Sequence, residues 1–279
     1  MKILILGYGQ VGRVLANLLS REKSIDQVIC GDLSIRENSQ EGKISLKRVD
    51  LANKEELARA IEDVKPFVVV NASLPKFNTS IMDSCLANRV NYLDAASFWG
   101  ADSNTSSQSP YKIEQLDFNV SFEQNGIIGL INAGVSPGLT NLLARASTSS
   151  LDEIDYIKIR LIEETKANKA VFSWCKEWLI DEINCKPLIY SGNKFQLVEN
   201  NNEEEYDFPE PFGKKKVAHI AQDEVGTIPL YLKVKNVDIK AYDDQAELIK
   251  NKLKSTNTGD SDEEVVDIKT FEEATFGFV

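Results

Sequence analysis

Lys2-Ile3-Leu4-Ile5-Leu6-Gly7-Tyr8-Gly9-Gln10-Val11-Gly12 opens the chain, and its reading decides the fold. A short β-branched run breaks at a glycine, and the next residues carry helical periodicity, so strand, turn and helix follow one another. The glycines fall in a G-x-G-x-x-G pattern, a weak signal alone. Its position after a first strand and at the mouth of a first helix gives it physical content. Gly7 makes the tight turn, Gly9 leaves bare backbone for a diphosphate, and Gly12 lets helix and strand pack closely. The helix N-terminus then presents N–H groups and a positive dipole end to the phosphates. Asp32 closes the second strand, twenty residues beyond Gly12, where a carboxylate takes the adenine-ribose hydroxyls.

Outward from this stretch, short buried runs alternate with longer helical ones as far as Asn132, the grammar of a parallel sheet covered by helices. Strands are expected at Gln27–Cys30, Lys43–Val49, Phe67–Asn71, Val90–Asp94 and Gly126–Asn132. Helices are expected at Gln10–Arg21, with Val11, Val14, Leu15 and Leu18 on one face, at Lys54–Val64, with Leu57 and Ile61 toward the sheet, and at Thr79–Arg89 and Tyr111–Gln124. After Gly134-Val135-Ser136-Pro137-Gly138 the pattern changes. A helix over Leu139–Ala146, an alternating strand over Asp155–Ile162 and a helix over Phe172–Ile183 are expected. A hairpin follows at Pro187–Val198, turning at Ser191-Gly192-Asn193. Asn200–Glu205 reads as an acidic loop, Gln245–Lys254 as a helix, Ser255–Glu264 as a linker and Val265–Val279 as a strand. The fold class is therefore α/β: a Rossmann-type doubly wound parallel sheet over residues 1–132, then a mixed α+β domain over 133–279.

A formal net charge of −11 and a pI near 4.8 oppose nucleic acid and anionic lipid as partners, because both would be repelled at long range. No stretch approaches the roughly 20 apolar residues of a membrane helix. Cys30, Cys85, Cys175 and Cys185 lie far apart without a C-x-x-C pair, so neither a disulfide framework nor a metal site is expected, and a cytoplasmic location follows.

The cofactor reading extends from Gly7, Tyr8, Gly9, Gln10, Val11, Gly12, Asp32 and Leu33 to Asp50 and Leu51, expected beside the adenine. Asn71, Ala72, Ser73 and Pro75 are expected to pass the nicotinamide-side ribose. Asp32 repels a 2′-phosphate and accepts from a free 2′-hydroxyl, which favours NAD, while Arg36 leaves NADP open. Two groups are candidates for catalysis. His219 is the single histidine and the one side chain with an unperturbed pKa near neutrality; its structural alternative is a half-buried strand residue. Asp94 ends a strand on the ligand-collecting side of a parallel sheet, or simply caps a turn. Trp174 is a pocket wall or a core aromatic. Tyr190 and Lys194 have a Y-x-x-x-K spacing, but Gly192-Asn193 between them favours a hairpin.

Several stretches are similar to one family. They are Val49-Asp50-Leu51, Val68-Val69-Val70-Asn71-Ala72-Ser73-Leu74-Pro75, Asn91-Tyr92-Leu93-Asp94, Ala133 to Leu142 with its G-x-x-P-G-x-x-N element, Phe172-Ser173-Trp174 and the Gly192 hairpin. Together they resemble the saccharopine dehydrogenase family, among whose relatives are lysine 6-dehydrogenases and carboxynorspermidine dehydrogenases. The resemblance implies NAD(P)-dependent hydride transfer at the amine-bearing carbon of an amino-acid or polyamine-type substrate, by a homodimer whose second domain covers the cleft. Ser136 departs from the Asp that many relatives carry before Pro-Gly, so a carboxylate that would meet a substrate amine is absent. Relatives also continue beyond this length, which leaves the second domain incomplete and keeps a second reading open, a non-catalytic nucleotide-binding sensor or regulatory subunit.

Overall fold

The computed structural model describes residues 1–97, 113–165, 185–199 and 202–245, together with positions 171–172, 182, 249 and 266–267. The chain divides into two compact units, the first holding residues 1–97 and 113–142 and the second the described residues from 143 onward.

In the first unit, β1 (Lys2–Leu6), β2 (Gln27–Asp32), β4 (Ile44–Arg48), β5 (Val68–Asn71), β6 (Asn91–Asp94) and β7 (Gly129–Leu130) are parallel, and β3 (Ser39–Glu41) adds an antiparallel edge. The strand order among the described residues is β3-β4-β2-β1-β5-β6-β7, the doubly wound order with its reversal between β1 and β5. β1 is buried on both faces because its side chains alternate between two cores. Ile3 and Ile5 join Val28, Cys30 and Val70 under α1 (Gln10–Ser20). Leu4 joins Leu57, Ile61, Ile81, Met82 and Tyr92 under α2 (Lys54–Val64) and α3 (Asn78–Asn88). Asn53 starts α2 by accepting from the backbone N–H groups of Glu55 and Glu56, both at 3.1 Å. Lys65 ends it in the left-handed conformation, and Leu57 and Ile61 face the sheet as expected.

The face of α1 is a correction. Gly12, Leu15, Ala16 and Leu19 lie toward the sheet, whereas Val11, Val14 and Leu18 are each more than half exposed. Close helix–strand packing selected the small residues, and hydrophobicity alone pointed to the wrong stripe. β7 is shorter than the expected Gly126–Asn132, since α4 (Asn119–Asn125) ends on Gly126 in the left-handed conformation. The first part of the expected helix from Tyr111 lies outside the described residues; a 3₁₀ turn at Glu114–Phe118 precedes α4.

In the second unit, α5 (Leu139–Thr148), begun in the first unit, leads to β8 (Ile154–Glu163). β8 pairs in parallel with β14 (Val234–Asp243) along its whole length. β14 also pairs with β10 (Leu188–Ser191) and β13 (Gly213–His219), which carry β11 (Lys194–Leu197) and β12 (Glu204–Phe208). The expected hairpin is present: Gly192 and Asn193 both have positive φ, 55° and 64°, as a tight two-residue turn requires. Tyr190 and Lys194 therefore sit on its two strands rather than one helical turn apart. Glu204 and Glu205, read as loop, begin β12, where they stand opposite Val217 and Lys216 of β13. β14 was not anticipated, although Val237, Ile239 and Ala241 alternate with polar residues in the period of a half-buried strand. α6 (Glu224–Tyr231) packs on β14. Short β9 (Val171–Phe172) pairs with β15 (Val266–Asp267). Phe172 thus lies in a strand rather than at a helix start; Trp174, most of the Phe172–Ile183 and Gln245–Lys254 helices, the Ser255–Glu264 linker and most of Val265–Val279 lie outside the described residues.

Leu57 is fully buried beneath α2. Leu57→Ala should destabilise the protein by about 2–5 kcal/mol through lost transfer energy and an unfilled cavity, read as a lower midpoint in chemical denaturation with dinucleotide binding retained below the transition.

Candidate dinucleotide site

The phosphate loop is built from contacts that exclude side chains. Gly7 donates to Gly31 O at 2.8 Å and holds φ +103°; a Cβ there would stand 2.6 Å from the Ala72 carbonyl and from Ser73 N. A Cβ on Gly12 would lie 2.1 Å from Gly7 O. A Cβ on Gly9, by contrast, would meet nothing within 4 Å. Two glycines are thus required by the protein itself, and the middle one borders open space where a ligand's phosphates can approach the backbone. Among the described residues no side-chain hydrogen bond caps the N-terminus of α1, and helix N-termini of this kind suit an anion. The cradle fits a dinucleotide.

Asp32 ties this loop to β2. Its Oδ2 accepts from Tyr8 N at 2.7 Å and its Oδ1 from Ser34 N at 2.8 Å. Burial alone would raise the Asp32 carboxyl, but these hydrogen bonds and the nearby Arg13 charge hold it below the ordinary value. It therefore stands ionised and able to accept further hydrogen bonds. Arg13 stacks over the Tyr8 ring at 5.3 Å and donates to Tyr8 O at 3.0 Å. Leu33 is exposed beside Asp32. Asp50 accepts from Ala52 N at 2.9 Å within its own turn, and Leu51 packs in the core with Leu57.

At the end of β5, Asn71 Oδ1 accepts from Ser73 N and Ser73 Oγ at 2.9 and 2.5 Å, which shapes the turn into Pro75. Asn71 Nδ2 donates to Asn78 Oδ1 at 2.6 Å, and Asn78 Nδ2 donates to Ala96 O at 2.8 Å. The hydroxyl of buried Tyr92 donates to Asn78 Oδ1 at 3.0 Å.

Asp94, only 1% exposed, ends β6 beneath the adjoining turn. It accepts from Asn132 N at 2.7 Å and Gln115 Nε2 at 3.2 Å. Burial pushes its carboxyl up to about 6, opposed by the hydrogen bonds from Asn132, Tyr92 and Gln115. Beyond it, Gly138 closes the loop that begins at Gly134, with φ +129° and a Cβ position only 2.3 Å from Gly134 O. Asn78, Tyr92, Ser97, Gln115 and Asn132 were not singled out from the sequence. For Asn132 a signal existed, a polar residue closing the apolar run Ile127–Ile131.

His219 lies in the second unit at the end of β13, 5% exposed. Its Nε2 is 3.8 Å from Asp238 Oδ2, and its Nδ1 has no hydrogen-bond partner among the described residues. Asp238 belongs to a buried charge cluster on the same sheet: Arg160 reaches Asp238 and Glu204, each at 2.6 Å, and Lys240 reaches Glu204 at 2.9 Å. Burial would raise Asp238, but hydrogen bonds from His219 and Arg160 and their charge bring it down to about 2.

The loop, the carboxylate and the strand order define an NAD(P)-binding fold of the Rossmann class. More particularly, residues 3–130 match the family described as the saccharopine dehydrogenase NADP binding domain, which bears out the resemblance read from the sequence. The chain is 27% identical over 258 residues to a carboxynorspermidine synthase of Vibrio cholerae, covering 85% of this chain and 62% of that protein. It is 25% identical over 165 residues to a carboxyaminopropylagmatine dehydrogenase of Synechocystis, covering 57% of this chain and 40% of that protein. A saccharopine dehydrogenase (L-Glu forming) of Saccharomyces cerevisiae shares the fold, with a TM-score of 0.65, 13% identity, and coverage of 94% of this chain and 60% of that one. The chain thus spans less than two thirds of the length of these proteins. Among the described residues, no helix is long and apolar enough to cross a membrane.

The buried Asp94 carries a pH signature. Because its folded value lies above the ordinary 3.8, the native state holds this proton more tightly than the unfolded chain. Unfolding free energy should therefore fall as pH rises from about 4 to about 6, and the deficit should persist above that window. Asp94→Asn removes this component. Its stability relative to wild type should improve by up to about 3 kcal/mol between pH 4 and pH 7, measured by denaturation at each pH; a pH-independent difference would contradict the assignment.

Proposed function

We propose that this protein catalyses NAD(P)-dependent oxidoreduction at the amine-bearing carbon of a carboxylated polyamine or related amino-acid derivative. The observation that carries the reading is the glycine cradle of Gly7 and Gly12 facing Asp32, on a chain whose curated relatives are a carboxynorspermidine synthase and a carboxyaminopropylagmatine dehydrogenase. When bound, the nicotinamide supplies or takes the hydride. In the oxidative direction the substrate carbon gives up a hydride and its nitrogen a proton, leaving an imine that water opens; the reductive direction reverses these steps.

The residues of the chain bind, orient and move a proton. Backbone around Gly9 and the N-terminus of α1 hold the diphosphate. Asp32 accepts from the adenine ribose, and we assign it a preference for the free 2′-hydroxyl of NAD, because its ionised carboxylate repels a 2′-phosphate. Asn71 and Ser73 shape the turn that meets the second ribose. His219, whose Nε2 faces Asp238 at 3.8 Å and whose Nδ1 has no hydrogen-bond partner among the described residues, is assigned the proton on the substrate nitrogen. Asp94, enclosed by donors, is assigned a positioning role.

The test follows absorbance of the reduced cofactor with carboxynorspermidine, carboxyaminopropylagmatine, saccharopine and lysine, with both cofactors and in both directions. Turnover should be found with a carboxylated amine, and His219→Gln should lower kcat by about 10²–10⁴-fold, the range of general acid–base catalysis, with cofactor affinity unchanged. Cofactor binding without turnover on any of these would favour the sensor reading, to which Ser136 lends support by leaving the loop without an acid.

A further inference from the structure

Asn132 follows β7 in the left-handed conformation, with φ +53°, and is 8% exposed. Two of its polar groups have fixed partners. Its backbone N–H donates to Asp94 Oδ1 at 2.7 Å, and its side-chain Oδ1 accepts from Ser97 Oγ at 2.9 Å. Its Nδ2 is buried without a hydrogen-bond partner among the described residues. The orientation of the amide follows from the chain of donors around it. Gln115 must point Nε2 at the Asp94 carboxylate, which only accepts; the same Nε2 donates to Ser97 Oγ at 3.2 Å, and the Ser97 hydroxyl donates to Asn132 Oδ1. The amide donor is left over. A buried amide without a partner costs about 1–3 kcal/mol, a cost that a ligand supplying an acceptor would remove.

The position of this donor narrows the ligand. The phosphate loop lies at the C-terminal end of β1, the Asn71–Pro75 turn at the end of β5, and Asp94 and Asn132 at the ends of β6 and β7, in that order across one sheet of one unit. A dinucleotide whose diphosphate sits at β1 and whose second ribose passes β5 carries its nicotinamide toward β6 and β7. Charge narrows it further. The Asp94 carboxylate directly behind Asn132 disfavours an anionic acceptor, such as a substrate carboxylate, and favours a neutral carbonyl.

We infer that Asn132 Nδ2 donates a hydrogen bond to the carboxamide oxygen of the nicotinamide, held in position from behind by Ser97, Gln115 and Asp94. The inference rests on the cofactor reading above and adds a residue that fixes how the ring is presented. Its consequence is separable from folding because a truncated ligand exists: ADP-ribose keeps the adenine, both riboses and the diphosphate but has no nicotinamide.

The experiment is calorimetric titration of the full chain and of Asn132→Ala with NAD, NADP and ADP-ribose. Asn132→Ala should bind the preferred dinucleotide three- to tenfold more weakly, the span of one neutral hydrogen bond, while ADP-ribose affinity stays the same. Equal losses for dinucleotide and ADP-ribose, or no loss for either, would overturn the inference. Should Asn132→Ala fail to fold, the wild-type protein alone decides. It should prefer NAD three- to tenfold over the analogue whose carboxamide is replaced by hydrogen, and equal affinity would overturn the inference. Failure of the wild type to bind NAD, NADP and ADP-ribose alike would remove the cofactor reading itself, whereas ADP-ribose binding with no carboxamide effect would remove only the role of Asn132.

Discussion

The turn between β1 and α1 depends on a single close approach. The Gly7 carbonyl lies where a side chain on residue 12 would begin, and Gly7 itself is pressed against the Ala72 carbonyl and Ser73 N. No residue with a Cβ can occupy either place without moving the neighbouring loop backbone. Once these glycines are accepted, α1 is drawn onto the sheet through Gly12 and Ala16, the end of β1 is locked to the turn after β5, and Tyr8 N is delivered to Asp32. The loop is thus shaped before any ligand arrives, and the open space beside Gly9 is what that shape leaves over.

Around the far strands of the same sheet the constraint is polar rather than steric. Asp94, Asn78, Asn71, Tyr92, Gln115 and Asn132 occupy positions that an apolar core would fill more simply. Buried polar groups are costly unless paired, and here nearly every donor has an acceptor. The network spends stability to hold loop ends in one arrangement at the side of the sheet where ligands collect. Among the described residues of this network, Asn132 Nδ2 is the exception.

Much of this was legible in the residues. The central strands read clearly because β1, β2 and β5 are buried on both faces and therefore nearly continuous in apolar residues. The Gly192-Asn193 turn declared itself because its positive φ values suit so few residue types. Other features were hidden for physical reasons. The sheet-facing side of α1 is chosen by smallness, so Val11, Val14 and Leu18 drew attention away from Gly12 and Ala16. Asp94 stood out at a strand end, but the partners that enclose it and Asn132, namely Gln115 and Ser97, are non-local and show only in the fold. The same holds for His219, whose neighbour Asp238 stands on β14, a strand whose alternation is present in the sequence without a turn signal to frame it.

The account stands or falls on whether the cradle and Asp32 hold an adenine dinucleotide. Calorimetry of the full chain with NAD and with NADP, repeated on Asp32→Ala, tests this most directly. We expect one-to-one binding of at least one of the two and a loss of tenfold or more in the variant, equivalent to about 1.4 kcal/mol. Unchanged affinity in Asp32→Ala, or no binding of either dinucleotide to the wild-type chain, would contradict it.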